Sequence, residues 1–370
     1  MHIAQALAAL NLGGSELVAM ELTEFAISQG HQSSIIAAGG PLLERVTACG
    51  ATHVNWAIGR KRLSTLLYIR KLSNWLREQK ITVLHAHSRL PAWICWRAIR
   101  QLIPRQRPAF VTTMHGHYSV SPYSAVMTRG DRVLAVSDHI RNYTLQNYPR
   151  VDPGKVITVH GGIDHDAFPH GYAAGTDWQD KTCRRFPEIE GKRLISLPGR
   201  VTRWKGHREF INLVAKIKPL VNNVHGVIIG GITPGSSYQR ELLKLSGQMG
   251  VAGHITFTGE TTQMRDWMAA SELVYNLSNN PPEALGRTIL EALSLGRPVL
   301  AWDHGGAGEI LEHLYPRGKV PLMDMDKLLA LTIEMLQNPA PVPVARAFGL
   351  RESMQKHLAI YQQLAGTRSC

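Results

Sequence analysis

The chain has 370 residues, which is long for a single hydrophobic core and suits two domains. A hydrophobic content of 44% excludes a disordered protein, and no apolar run approaches the roughly 18–20 residues of a membrane span. The net charge of +13 is uneven: residues 1–160 contain 18 Lys and Arg against 8 Asp and Glu, and residues 161–370 contain 23 against 20. The first half therefore favours a polyanionic partner, namely an anionic lipid surface, a phosphorylated acceptor or nucleic acid.

The sequence also bears on the cellular compartment. The first residues lack the basic and then apolar pattern of a secretory signal. The cysteines form no CxxC motif, which is typical of a reducing environment; they are Cys49, Cys95, Cys183 and Cys370. We therefore expect a cytoplasmic protein.

Short apolar runs alternate with helical patterns along the first half. The predicted strands are 3–7, 33–37, 52–55, 83–86, 110–114, 133–136 and 156–159. The helical patterns between them lie near 15–29, 41–49, 63–79, 90–101 and 138–147. Strands and helices that alternate at these lengths predict a doubly wound parallel sheet of the α/β class.

The same alternation continues after an interruption at 161–192, which is rich in glycine and proline. The predicted strands there are 194–197, 227–229, 255–258, 273–276 and 299–301, and the helices lie near 205–218, 236–248, 285–295, 306–313, 324–337 and 345–366. We predict a basic N-terminal Rossmann-like domain over 1–165, a linker over 166–192, a second Rossmann-like domain over 193–345, and a C-terminal helix within 346–370 that crosses back to the first domain.

Gly13 and Gly14 follow the first predicted strand and open a helix. Adjacent glycines let the backbone approach a ligand closely, and the N–H groups at a helix start suit an anion. The spacing is not the GxGxxG of a dinucleotide site. A plain strand-to-helix turn explains the pair equally well.

A basic amphipathic stretch spans residues 60–77, where a leucine-rich stripe is flanked by Arg and Lys. This pattern can lie on an anionic membrane. An ordinary helix packed on its own sheet explains it as well.

Histidines follow two neighbouring predicted strands, His85 and His87 after one, His115 and His117 after the next. Such HxH pairs suggest a metal, but no carboxylate or thiol lies nearby in sequence to complete a site. We interpret them as side chains that hydrogen-bond a sugar or a phosphate.

Three cations, Arg200, Arg203 and Lys205, lie within six residues after the strand at 194–197. Open α/β sheets bind ligands at this end of a strand, where Arg and Lys can neutralise a diphosphate leaving group. The alternative is a solvated basic turn.

Glu283 and Glu291 lie eight positions apart across a loop-to-helix turn. Leu285, Gly286 and Arg287 lie between them, and a second glycine turn, 305–306, follows. A turn of this kind can present an acid, backbone N–H groups and a helix N-terminus to a nucleotide-linked ligand.

In this order the motifs resemble those of retaining glycosyltransferases of family 4 (glycosyltransferase group 1), especially bacterial transferases that build lipopolysaccharide or other surface glycans. The two-glutamate motif carries most of the resemblance, which covers nearly the whole chain. It departs from the family pattern at Leu285, where an aromatic residue is common, at Arg287, where an apolar one is, and at Gly161, which replaces an Asn. The resemblance implies a GT-B fold, in which two Rossmann-like doubly wound domains face a central cleft.

The resemblance also implies roles for individual residues. Arg200 and Lys205 would bind the donor diphosphate, Glu283 the donor sugar, Glu291 the ribose, and His115 would position the sugar at the reacting centre. The further donor contacts implied are Gly13, Gly14, Leu285, Gly286 and Arg287, and the acceptor contacts are His85, His87 and His117.

The implied activity is hexosyl transfer from a nucleotide-diphospho-sugar of the UDP or GDP type, without a cofactor or a metal ion. The acceptor would be a glycan or a lipid-linked molecule, held by the basic first domain at the inner face of the cytoplasmic membrane. We expect no nucleic-acid partner, because no known module is evident and aromatic residues do not interleave with the cations. The alternatives are a sugar-nucleotide 2-epimerase of the same fold and a transferase with a soluble acceptor.

Overall fold

The computed structural model describes residues 1–233, 235–344 and 346–369, without the side chains of residues 368 and 369, so Cys370 lies outside the described residues. The chain divides into two compact units. The first comprises Met1–Gly161 and the segment that starts at Leu350, and the second comprises Gly162–Gly349. Within the described residues, no helix is both long enough and apolar enough to cross a membrane.

The first unit contains a seven-stranded parallel sheet. Its strands are β1 His2–Ala9, β2 Gln32–Ala38, β3 Thr52–Asn55, β4 Val83–Ala86, β5 Ala109–Met114, β6 Arg132–Ala135 and β7 Val156–Thr158. The helices are α1 Gly14–Ser28, α2 Leu43–Ala48, α3 Leu67–Glu78, α4 Arg89–Ile99 and α5 Asp138–Asn147. The strand order is β3-β2-β1-β4-β5-β6-β7, so the chain changes direction across the sheet between β1 and β4.

Local sequence explains several of these boundaries. Ser137 accepts a hydrogen bond from the Ile140 N–H and caps α5, as serine commonly does at a helix start. The pattern near 63–79 forms a 3-10 turn, Leu63–Leu66, before α3 begins. The central strands β4 and β5 are buried at every position, which is typical of parallel strands covered on both faces.

The second unit begins with a segment that the sequence predicted as a linker. This segment contains α6, Thr176–Arg185. The Trp178 ring of α6 packs edge to face on the Trp267 ring, with 5.2 Å between the ring centres. Cys183 packs against a buried cluster that includes Leu194 and Val227. The segment is therefore part of the second unit, because its aromatic side chains complete that unit's core.

A six-stranded parallel sheet forms the centre of the second unit. Its strands are β8 Arg193–Pro198, β9 Val224–Ile229, β10 Ile255–Gly259, β11 Ser271–Asn276, β12 Val299–Trp302 and β13 Lys319–Val320. The helices are α7 His207–Ile217, α8 Ser237–Gln248, α9 Met264–Ala269, α10 Arg287–Ser294, α11 Gly305–Leu314 and α12 Met325–Gln337. The order is β10-β9-β8-β11-β12-β13, so the change of direction falls between β8 and β11.

The final helix, α13 Leu350–Ser369, belongs to the first unit. Met354, Leu358 and Tyr361 pack in a buried cluster with Ile3 of β1 and Val83 of β4. Through these contacts, α13 covers part of the first sheet.

Candidate functional site

The second unit places its chemistry-bearing loops at the point where the strand order changes direction. β8 and β11 are neighbouring strands, and the chain continues from them toward opposite sides of the sheet. In open α/β sheets, the loops after two such strands diverge and leave a crevice at the carboxyl ends of the strands. Lys205 lies in the loop after β8, and Glu283 lies in the loop after β11. Two motifs that are 78 residues apart in sequence thus meet at one edge of the sheet.

Lys205 and Glu283 form an ion pair. The Lys205 Nζ donates to Glu283 Oε2 at 2.5 Å, and the two side chains are 18% and 14% exposed. The same oxygen accepts hydrogen bonds from Ser278 Oγ at 2.9 Å and Asn276 Nδ2 at 3.2 Å. Three donors therefore hold one carboxylate oxygen in place.

The charge state of Glu283 follows from two opposing effects. Burial disfavours its carboxylate, but the charge of Lys205 and the hydrogen bonds from Lys205, Asn276 and Ser278 outweigh that cost and lower its pKa below 4.5. Glu283 is therefore an anion at neutral pH and acts as a hydrogen-bond acceptor.

Asn276 and Ser278 are functional candidates that the sequence analysis missed. Asn276 ends β11, and Ser278 follows it by two residues. Polar residues at the carboxyl end of a buried strand next to the change of direction were the available signal.

Gly206 allows the loops after β8 and β11 to touch. Its φ is 78°, and a Cβ there would lie 2.2 Å from the Leu277 carbonyl oxygen. The Asn279 N–H donates to the Trp204 carbonyl at 2.9 Å and joins the two loops. No residue with a side chain fits at Gly206 without moving the backbone that carries Lys205.

A second glycine turn supports the loop of Glu283 from the other side. The Gly306 N–H donates to the Glu283 carbonyl at 2.8 Å. A Cβ on Gly306 would lie 2.4 Å from the Ala284 carbonyl oxygen. The turn at the start of α11 therefore holds the backbone of the Glu283 loop in position.

The remaining predicted residues of this unit surround the start of α10. Gly286 precedes the helix with φ 96°, and Leu285 is half-buried against the core. Arg287 Nε lies 3.1 Å from Glu291 Oε1 within the helix, and Glu291 is 9% exposed. Arg200 is exposed on the loop after β8.

The three cations of that loop separate in the structure. Lys205 contacts Glu283, whereas the Arg203 guanidinium pairs with Glu241 at 2.7 Å and stacks over Tyr238. Arg203 therefore serves the packing of α8.

In the first unit, His87 hydrogen-bonds to His115, and the centre of the His85 ring lies 4.0 Å from that of His87. His87 Nδ1 lies 3.0 Å from His115 Nε2, and His87 Nε2 lies 2.7 Å from Gln5 Oε1. His85 contacts the Tyr361 hydroxyl through Nδ1 at 2.5 Å and Thr113 Oγ1 through Nε2 at 2.7 Å.

The three histidines differ in how far they are buried. His85 and His87 are 0% and 1% exposed, and each uses both ring nitrogens on protein groups, which differs from the predicted contact with an acceptor. His115 is half-buried at the end of β5. Burial, with a smaller effect of His357, lowers the pKa of His115 to about 3, so its ring is neutral at neutral pH.

The other predicted residues of the first unit are Gly13, Gly14 and His117. Gly13 precedes α1 in an extended conformation, and Gly14 is exposed. A Cβ on Gly14 would meet no atom within 4 Å, so packing does not require a glycine there. His117 Nε2 lies 2.7 Å from His139 Nε2.

Two family models match the chain, one in each half. Glycosyltransferase Family 4 matches residues 12–167, and Glycosyl transferases group 1 matches residues 179–354. The two matched ranges correspond approximately to the two units of the structure. Together they span most of the chain.

Several bacterial transferases are similar in sequence. N-acetyl-alpha-D-glucosaminyl L-malate synthase of Bacillus anthracis is 25% identical over 82% of this chain and 79% of its own length. The lipopolysaccharide core biosynthesis mannosyltransferase LpsB of Rhizobium meliloti is 31% identical over 50% and 49%. A GDP-mannose-dependent phosphatidylinositol monomannoside mannosyltransferase of Mycobacterium tuberculosis is 28% identical over 57% of each chain. The chain thus spans about half the length of the last two.

Solved structures confirm the predicted fold. A glycosyltransferase from Rickettsia africae superposes with a TM-score of 0.83 at 22% identity over 98% of both chains. HepE of Anabaena, in complex with UDP and glucose, has a TM-score of 0.79 at 18% identity over 100% of this chain and 99% of its own. The two parallel-sheet units are the two Rossmann-like domains of a GT-B fold.

Proposed function

The chain belongs to the glycosyltransferase family that these two models describe, and from that premise we propose that it moves a sugar from a nucleotide-diphospho-sugar to a glycan or lipid-linked acceptor with retention at the anomeric carbon. The relatives support this choice, because HepE was solved with UDP and glucose, and LpsB is named for lipopolysaccharide core biosynthesis. We assign the donor to the UDP or GDP type and the product to a lipopolysaccharide or another surface glycan.

The observation that carries the proposal is the Lys205–Glu283 pair at the change of direction between β8 and β11. A diphosphate that enters this crevice competes with Glu283 for the Lys205 ammonium. Once Lys205 turns to the phosphate, Glu283 keeps Asn276 and Ser278 as donors and can accept hydroxyl hydrogen bonds from the sugar. In this proposal, donor binding replaces the Lys205–Glu283 ion pair by a contact between Lys205 and the diphosphate, and both side chains stay charged.

The reaction then needs charge stabilisation at the leaving phosphate. The acceptor hydroxyl attacks the anomeric carbon on the face that the phosphate leaves, a C–O bond forms as the bond to the phosphate oxygen breaks, and the hydroxyl proton passes to that oxygen. Arg200 and Lys205 stabilise the growing negative charge. Because two protein cations can do this, the proposed mechanism requires no divalent metal.

The other predicted residues keep narrower roles. Glu291 holds the ribose hydroxyls, with Leu285, Gly286 and Arg287 beside it at the start of α10. His115, because it is neutral, contributes a hydrogen bond to the sugar rather than a positive charge. Gly13 and Gly14 remain predicted phosphate contacts. His85 and His87 support His115 rather than bind the acceptor in this proposal.

A thermal-shift panel of UDP, GDP, ADP and their sugars tests donor binding. A ligand at about 100 times its Kd stabilises the native state by about 2.7 kcal/mol, so we expect one nucleotide class to raise Tm by several degrees. Lys205→Ala should abolish the shift. Lys244→Ala, which removes an exposed lysine of α8, should leave it unchanged.

Product analysis then tests transfer itself. The sugar from the selected donor should appear on an acceptor with its anomeric configuration retained. A panel in which no nucleotide shifts Tm would refute the donor assignment. Epimerised nucleotide sugar formed without any acceptor would instead assign a 2-epimerase.

A further inference from the structure

An open cavity of about 670 Å³ lies on the first unit between α4 and the segment that leads into α3. Five of its lining residues are apolar: Leu66, Ile69, Leu90, Trp93 and Ile94. Arg97 and Arg100 supply cationic groups to the same lining. None of the residues assigned above to the donor lines this cavity, so the proposed function leaves it unexplained.

Exposed leucines lie beside the cavity. Leu63 is 88% exposed, Leu67 is 76% exposed, and Leu66, which lines the cavity, is 56% exposed. All three lie in the 3-10 turn Leu63–Leu66 or at the first residue of α3. Single exposed leucines are common on soluble proteins, but three in five residues next to an apolar cavity mark an interaction site.

The charges around these leucines have one sign. Exposed Arg and Lys occupy positions 60–62 just before the leucines, positions 70 and 71 of α3, and positions 97 and 100 of α4. Among the residues that the structure describes, no carboxylate pairs with Arg97 or Arg100. The stretch from Arg45 to Arg107 contains 13 basic residues and one acid, Glu78. The partner of this face is therefore anionic.

Aromatic side chains complete the face. Trp96 lies beneath the guanidinium groups of Arg129 at 4.3 Å and Arg100 at 4.9 Å. Trp93 donates its indole N–H to the Tyr123 carbonyl at 2.7 Å. Tryptophan and tyrosine, which combine an apolar ring with one polar group, are typical of the boundary between lipid chains and water.

We propose that this face docks on an anionic phospholipid bilayer, with Leu63 and Leu67 inserted among the acyl chains and one acyl chain in the cavity beside Trp93. Arg97 and Arg100 then meet the lipid phosphates, because they share the cavity lining with its apolar wall. The proposal rests on the proposed function for the reason to be at a membrane, since a lipid-linked acceptor lies there. Its contacts are independent of the donor site.

Vesicle sedimentation of the full chain tests the docking. We expect binding at low salt to vesicles of phosphatidylcholine with about 30% phosphatidylglycerol, and weak binding to pure phosphatidylcholine, because each surface cation contributes to attraction by anionic lipid. The double variant Leu63→Ser/Leu67→Ser should lower the partition coefficient roughly tenfold without altering the fold, since both side chains are exposed. Arg97→Gln/Arg100→Gln should lower it by about the same factor or more.

Matched controls come from the second unit. Leu220 and Leu243 are 55% and 50% exposed, so Leu220→Ser/Leu243→Ser removes two comparable leucines. Arg240→Gln/Lys244→Gln removes two exposed cations of α8. Both control pairs should bind vesicles like the parent chain. Absence of vesicle binding, or equal losses in the test and control pairs, overturns the docking proposal.

Quenching by brominated acyl chains tests the cavity. Phosphatidylglycerol brominated on its acyl chain should quench the fluorescence of Trp93, so Trp93→Phe should remove a large part of the quenching. Trp204→Phe, in the second unit, should remove little. Quenching that is unchanged in Trp93→Phe refutes the acyl chain in the cavity. Failure of either vesicle assay leaves the donor-dependent thermal shift intact, so the two proposals fail separately.

Discussion

At the scale of the residue, Lys205 and Glu283 form an ion pair that neighbouring polar groups hold in place. Glu283 has three hydrogen-bond donors on one oxygen, and Lys205 also lies 4.3 Å from the centre of the Trp204 ring. A pair this well held stabilises the local loops, and a phosphate has to compete with Glu283 for the Lys205 ammonium. In the proposed mechanism, the same two residues contribute both to stability and to donor binding.

Lys205→Ala should destabilise the protein, because it leaves the buried carboxylate of Glu283 without its cation. Loss of one partner of a fully buried pair costs about 3–5 kcal/mol; with two hydrogen bonds remaining, we expect about 1–3 kcal/mol. Glu283→Gln added to Lys205→Ala should recover part of this loss. Urea unfolding of the parent chain, the two single variants and the double variant gives the coupling energy between the two side chains. Additive effects of the two substitutions would contradict the pairing.

The pH dependence of this pair has a defined sign. The pKa of Glu283 is below its ordinary value, so the stabilisation is fully present above pH 4.5 and is lost as the pH falls through the lowered value. The Lys205→Ala chain should lack this component of acid destabilisation, because its main electrostatic cause is gone.

At the scale of the element, three loops are held together by glycines that permit backbone contact. Gly206 joins the loop after β8 to that after β11, and Gly306 joins the turn before α11 to the loop of Glu283. Backbone contacts thus position the loops, and side-chain hydrogen bonds then hold the Glu283 carboxylate.

Gly206→Ala should damage the site and the fold together. Its φ of 78° disfavours alanine, and the added Cβ would lie 2.2 Å from the Leu277 carbonyl oxygen, so the Lys205 loop must shift. We expect a fall in the free energy of unfolding of more than about 1 kcal/mol and loss of nucleotide binding. Gly247→Ala in α8, where a Cβ meets nothing within 4 Å, should instead stabilise by up to about 1 kcal/mol. Urea unfolding of both variants decides between these outcomes, and equal effects would contradict the steric argument.

The sequence predicted the sheets and the charged loops because hydrophobic runs and their end points are local properties. It missed α6, because glycines and prolines around it resemble a linker and its core contacts through Trp178 depend on distant residues. It also missed β13, whose two residues are too few for a pattern. It could not separate Lys205 from Arg203, because their partners, Glu283 and Glu241, lie far along the chain. It did not predict the burial of His85 either, because the ring contacts Tyr361, which lies 276 residues away in sequence.

At the scale of the whole molecule, charge and titration are distributed unequally between the units. The first unit carries 21 Lys and Arg against 9 Asp and Glu, and the second carries 20 against 19. The first unit also contains four histidines whose pKa values are lowered, three of them buried and one half-buried: His85, His87, His357 and His115. These rings therefore stay neutral in the folded unit as the pH falls, and they gain charge more readily when the chain unfolds.

Stability should fall as the pH drops below 6.5, because the unfolded chain binds protons that the buried rings do not. Burial lowers the pKa of His357 to about 4, so between pH 6.5 and about 4 this one residue contributes a slope of about 1.4 kcal/mol per pH unit. His357→Gln should flatten the dependence of unfolding free energy on pH. His313→Gln, at an exposed position, should leave the slope as it is, and an unchanged slope in His357→Gln would contradict the assignment.

The return of α13 to the first unit has a consequence for synthesis on the ribosome. The second unit is one uninterrupted stretch, Gly162–Gly349, inserted between the two pieces of the first. Its core can close while the nascent chain is still growing, whereas the first sheet must wait for Met354, Leu358 and Tyr361 to cover it. The half that is translated first is therefore the half that finishes folding last, and part of its apolar surface stays uncovered until translation passes α13.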